Sequence, residues 1–163
     1  MFGWLIPTAF GGLLVAAAVM DFLQHRIANW IVAAIVALFV VQAARHFDEV
    51  SWINQLGAGA ALLVAGLVLF SLGHLGAGDA KLLAAVALWA GLPALLTLLF
   101  VTSVAGLVVL GVLVAARRLV AWRGWQDKVP KSLIQGEGVP FGIAIAIGAI
   151  VTMPLFPEWL WKI

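Results

Sequence analysis

Two acidic side chains stand where acids are expensive. Asp79 lies in Gly76-Ala77-Gly78-Asp79-Ala80-Lys81, a polar break between two long apolar runs, and Asp21 closes the first apolar run. A carboxylate beside the hydrocarbon region is costly unless it is paired, solvated or used. Brought together, two carboxylates cannot both ionise easily, so they share one proton and titrate as a unit. The ionised member can then take a proton from water while the neutral member polarises a carbonyl. That is acid–base hydrolysis of a peptide bond, and it needs no metal and no cofactor.

Each residue also has a plainer reading. Asp79 follows a glycine turn and precedes an apolar run, so it can serve as the N-cap of a helix. Asp21 sits at the C-terminal end of a helix, where the macrodipole disfavours negative charge; it can be a solvated end residue paired with His25 or Arg26. Gly76 and Gly78 allow backbone conformations closed to other residues and let another chain approach, or they form a tight turn. Lys81 either acts on Asp79 or a substrate carbonyl, or snorkels to the headgroups as a topology marker.

The composition restricts what can position these residues. Of 163 residues, 65% are hydrophobic and 10% charged, with a mean hydropathy of +1.17. Soluble domains carry about 25% charged residues. Such a chain cannot cover itself with a polar surface. The expectation is an all-α, polytopic membrane helix bundle of about six transmembrane segments, forming one integral-membrane domain over residues 1–163 in contact with the lipid bilayer. Cysteine is absent, which excludes disulfides and thiolate chemistry, and the three scattered histidines argue against a histidine-rich metal site. The basic residues form no stripe of the kind that binds nucleic acid.

Six apolar segments are predicted: Trp4–Met20, Ile27–Ala44, Ile53–Leu72, Ala80–Gly91, Pro93–Ala116 and Val139–Phe156. The fourth is short against the ~20 residues that cross a bilayer core. Ala16-Ala17-Ala18 resembles a signal cleavage site, but no basic residue precedes the apolar stretch, so the first span is expected to be retained. Trp4, Trp30, Trp52, Trp89, Trp159 and Trp161 fall near predicted helix ends, where indoles anchor at the headgroups. Span glycines, Gly57, Gly59, Gly66, Gly106, Gly111, Gly142 and Gly148, let helices pack closely. Thr97, Thr102 and Ser103 are expected to bond back to their own helix.

With six spans, one side holds Arg26, Lys81, Arg117, Arg118, Arg123, Lys128 and Lys131, and the other only Arg45 and Lys162. The positive-inside rule places the first group in the cytoplasm and both termini outside. Asp21 and Asp79 then share the cytoplasmic face. Of the other acids, Asp127 and Glu137 share that side but read as solvated.

Three ordered motifs carry a resemblance: Asp21-Phe22-Leu23-Gln24-His25-Arg26-Ile27-Ala28-Asn29, Gly76-Ala77-Gly78-Asp79-Ala80-Lys81 and Val139-Pro140-Phe141-Gly142. Together they resemble type IV prepilin peptidases, most closely the compact Flp/Tad-type branch. The Gly-x-Gly-Asp motif alone is shared with presenilin-like proteases. The resemblance implies that Asp21 and Asp79 are catalytic, with Gly76, Gly78, Lys81, Arg26 and Asn29 supporting the motif or the approach of substrate. It also implies cleavage of a leader from prepilins or pseudopilins, typically after a glycine, at the cytoplasmic side of the bacterial inner membrane. Ala28 stands where the family usually has proline, which loosens the start of the second span but removes no reacting group. Larger members carry a cysteine-bearing insertion and methylate the new N-terminus; without cysteine, peptidase activity without methyl transfer is expected.

Two rival readings are a small proton-coupled transporter with the aspartates as a relay, and a structural membrane subunit in which Asp79 caps a helix. A relay favours acids at mid-membrane, and here the predicted spans are almost free of ionisable groups in their middles. The oligomeric state and the particular pilin are not legible in the sequence.

Overall fold

A computed structural model describes residues 5–123, 133 and 139–161. Trp4, Asp127, Lys128, Lys131, Glu137 and Lys162, used above for topology or as bystanders, lie outside the described residues. Those described are helical, in the order α1 (Leu5–Gln24), α2 (Asn29–Arg45), α3 (Trp52–Ser71), α4 (Ala77–Arg123) and α5 (Phe141–Thr152). Short 3-10 turns follow at Met153–Leu155 and Glu158–Leu160.

Among the described residues, α1, α3 and α4 are long and apolar enough to cross a membrane, while Asn29–Arg45 and Phe141–Leu155 are shorter apolar helices. Three candidate spans thus stand where six were expected. The outward faces suit lipid: Leu96 is 79% exposed and Leu107 70%. An apolar side chain so open is the rule in a bilayer, where no water penalises it.

The 47 residues of α4 would reach ~70 Å if straight, more than twice a hydrocarbon core. They are broken at Gly91, whose φ of 66° and ψ of 174° lie outside the helical region. Only glycine adopts that conformation readily. The chain folds back there, because Asp79 and Leu83 line the same cavity as Leu99 and Ser103, although Asp79 and Ser103 would lie ~36 Å apart on a straight helix. The sequence division on either side of Pro93 therefore marks a real hairpin.

Small residues fix its neighbours. A Cβ at Gly59 would come within 2.5 Å of Leu88, and one at Gly66 within 2.8 Å of Ala80. This runs α3 antiparallel to the first half of α4. Gly106 faces Phe141, and Gly148 sits against Thr102, so α5 lies along the second half. Gly111 meets nothing within 4 Å and has no such packing role.

The core differs from expectation in its tryptophans. Trp89 is fully buried, stacks on Phe10 at 4.3 Å and donates its indole N–H to the Ile35 carbonyl at 3.2 Å. Trp159 is buried too and meets Phe39 edge-on. These two indoles hold α1, α2, α4 and the C-terminal turn together instead of anchoring at headgroups. Gln42 completes the join, donating to the carbonyls of Trp159 and Leu160. Trp30 and Trp122 remain exposed.

Candidate active site

Asp21 lies in the last turn of α1 and is 5% exposed. Its Oδ2 accepts a hydrogen bond of 2.7 Å from the backbone N–H of Gly142. Gly142 is the second residue of α5, so this amide belongs to the unsatisfied donors at a helix N-terminus, where the macrodipole favours an anion. A carboxylate badly placed on its own helix is thus well placed at the start of another.

Asp79 reaches the same point from α4. That helix begins at Ala77, three residues before the predicted start, so Asp79 is its third residue and does not occupy the N-cap. Its carboxylate interacts with the backbone N–H groups of Gly76 and Gly142, and electrostatically with Asp21. The reach back to Gly76 resembles the return half of a capping box. Asp79 is only partly buried. The two acids therefore lie together beside the start of α5, Asp21 enclosed on the Gly142 amide and Asp79 open to a cavity.

The motif glycines permit that convergence. A Cβ at Gly76 would stand 2.8 Å from Asp79 Oδ2, and one at Gly78 would stand 3.2 Å from the Ile27 Cβ. Gly78 thus lets α4 close against the α1–α2 connection. Ile27 is buried, and its Cδ1 would also meet a Cβ at Gly142 at 3.0 Å. Ile27 therefore sits between the beginnings of α4 and α5 and sets their spacing.

Lys81 and Asn29 meet each other rather than the acids: Lys81 Nζ donates to Asn29 Oδ1 at 3.2 Å, tying α4 to the first residue of α2. Arg26 is exposed and has no part in these contacts. His25, suggested by the sequence as a partner of Asp21, is an electrostatic neighbour of that carboxylate. It has a left-handed backbone with φ of 52°, and its Nε2 is buried without a hydrogen-bond partner. Among the hydroxyls expected to bond back to their helix, Ser103 does so to Leu99 at 2.8 Å, whereas the Thr102 hydroxyl is buried without a partner.

Gly142 stands in the third motif, but the sequence alone does not single it out as a site residue. A proline one residue before a helix and a glycine at its second position were the visible signal. What the glycine would face could not be read locally, since Asp21 lies 121 residues away. No group of three or more potential metal ligands occurs among the described residues. Two carboxylates around one helix-end amide, one buried and one open to a cavity, can share a proton and present it to a carbonyl.

A family model described as the type IV leader peptidase family matches residues 8–111. The match takes in both aspartates and ends before α5. No curated protein and no solved structure matches the chain.

Proposed function

We propose that this chain, which belongs to the type IV leader peptidase family, removes the leader from prepilins or pseudopilins using Asp21 and Asp79 as its acid–base pair. The observation that carries the reading is that Asp21, held by the Gly142 amide, and Asp79 at the start of α4 are brought close enough to act on each other electrostatically. In the reaction the ionised aspartate takes a proton from water, whose oxygen adds to the scissile carbonyl carbon. The neutral aspartate donates its proton to the carbonyl oxygen. Collapse of the tetrahedral adduct breaks the C–N bond, and a proton returns to the departing amine. The Gly142 N–H holds negative charge on the pair in one place throughout, as a preorganised dipole.

In this account the enzyme sits in the bacterial inner membrane. Its α1, α2, α3, the two halves of α4, and α5 with its following turn make six crossings. The active site faces the cytoplasm and both termini the periplasm. Basic side chains on the connections support that orientation. Methyl transfer is not part of the proposal, because the chain has no cysteine.

The test is cleavage of a purified prepilin by the purified protein in detergent. Asparagine caps and packs much like aspartate but supplies no ionisable base, so Asp79→Asn should fold, yet lose on the order of 10²–10⁴ in rate. Unchanged cleavage by Asp79→Asn would remove the two-aspartate mechanism.

A further inference from the structure

We propose that the cavity beside Asp79 is the subsite for the apolar side chain on the membrane-entering side of the scissile bond. This rests on the peptidase reading above and adds where the substrate lies. The cavity holds about 490 Å³ and has Asp79, Leu69, Leu75, Leu83, Leu99 and Phe141 among its walls. That volume falls within the ~300–1,000 Å³ of small-ligand sites. A bulky side chain fits together with the backbone that carries it.

Its position decides which side of the cut it serves. Asp21 is enclosed against α5, so a peptide must approach the pair from the side of the partly open Asp79. From Asp79 the wall continues to Leu83, one turn further into the apolar length of α4, and across the hairpin to Leu99. The cavity therefore extends from the reacting carboxylate along the apolar length of α4, with His74, Gly76 and Val139 at its mouth. A substrate anchored by an apolar segment can enter it only with the residue that leads into the membrane, leaving the leader in water.

The wall chemistry agrees. Of the polar side chains in the wall, Ser103 donates to its own helix and Thr102 lies against Gly148, while His74 stands at the end nearest Asp79. Leu69, Leu75, Leu83, Leu99, Val139 and Phe141 make up most of the wall, so an apolar substrate group enters at no cost in hydrogen bonds, whereas a polar one must find His74, Thr102 or Asp79 to replace its water. Two other cavities are grooves that touch neither aspartate, one lined by Val32, Leu63 and Ala84, the other by Val19, Phe22 and Ile147. They provide the contrast.

The cysteine-free chain makes a direct test possible. First, the wild-type protein is assayed on a type IV prepilin with glycine before the cut. Next, Leu99→Cys, Leu63→Cys and Val19→Cys are each combined with Asp79→Asn. Each is mixed with the same prepilin carrying a single cysteine at the first residue after the cut, under mild oxidation. A disulfide requires Cβ atoms within about 4.5 Å, so Leu99→Cys should cross-link most strongly. Equal or stronger cross-linking through Leu63→Cys or Val19→Cys overturns the subsite and leaves the peptidase reading intact. A wild-type protein that cuts no prepilin sinks the peptidase reading and the subsite with it. As a second measurement, Leu99→Trp should lower kcat/KM for a substrate with phenylalanine at that position about 10–100-fold more than for one with alanine. Equal losses for the two substrates contradict the assignment.

Discussion

Replacing Gly142 with alanine adds one methyl group directly against the carboxylate of Asp21. The new Cβ would lie 2.8 Å from Asp21 Oδ2, 3.0 Å from Ile27 Cδ1 and 3.1 Å from Asp21 Cβ. Non-bonded carbon contacts prefer about 3.5–4.0 Å, so something must move by about half an ångström. Ile27 can turn its terminal methyl aside. Asp21 cannot retreat as a whole, because its Cβ is fixed to α1. Its carboxylate must swing away, giving up the 2.7 Å bond from Gly142. A hydrogen bond to a charged group contributes about 1.5–3 kcal/mol, and misplacing a reacting group by ~1 Å costs on the order of 10²-fold in rate. Alanine also improves the helix, by up to about 1 kcal/mol, which offsets part of the loss in stability. The expected outcome for Gly142→Ala is a melting temperature lower by no more than about 8 °C and a kcat/KM for prepilin cleavage lower by about 10²-fold. Both are read on the same purified sample. Wild-type kcat/KM in a folded Gly142→Ala protein would refute the role given to this amide.

Other perturbations probe separate parts of the account. Gly91→Ala forces a side chain into a glycine-only backbone conformation and within 2.6 Å of Gln55 Oε1, so thermal unfolding in detergent should show destabilisation of at least about 1–3 kcal/mol. Lys81→Met and Asn29→Ala each break one exposed hydrogen bond. Each should cost no more than about 1 kcal/mol, and a double-mutant cycle should show the two losses overlapping. Arg118→Cys, in this cysteine-free chain, should react with a membrane-impermeant maleimide only from the cytoplasmic side of spheroplast membranes; labelling from outside would invert the orientation. The pH profile of kcat/KM should be bell-shaped, falling at low pH as the base becomes protonated and at high pH as the shared proton is lost. A single-limbed profile would leave one of the two roles unfilled.

The helical class and the division of the chain were legible because apolar runs and their interruptions are local properties. Pro93 marked the hairpin, although the residue that turns the chain is Gly91, two positions earlier. The helix α4 starts three residues before the sequence predicts, since Gly76-Ala77-Gly78 looks like a turn by composition while Ala77 and Gly78 are already helical, with Gly78 against Ile27. Trp89 shows the same limit: its position near a helix end suggested a headgroup anchor, but Phe10 and the Ile35 carbonyl claim it for the core. Asp21 and Asp79 could be singled out because acids are conspicuous among apolar residues. Gly142 could not, because a missing side chain is informative only once its neighbour across the fold is known. Lys81 and Asn29 were noticed as charged and polar motif residues, yet their contact is with each other.

The central claim is that Asp21 and Asp79 act as one unit, and a double-mutant cycle on cleavage tests it most directly. Rates for Asp21→Asn, Asp79→Asn and the doubly substituted protein would be measured on one prepilin under single-turnover conditions. Groups that work as a unit are strongly non-additive, so the double substitution should be no slower than the worse single one. Losses that multiply would show two independent residues, and the shared-proton mechanism would not stand.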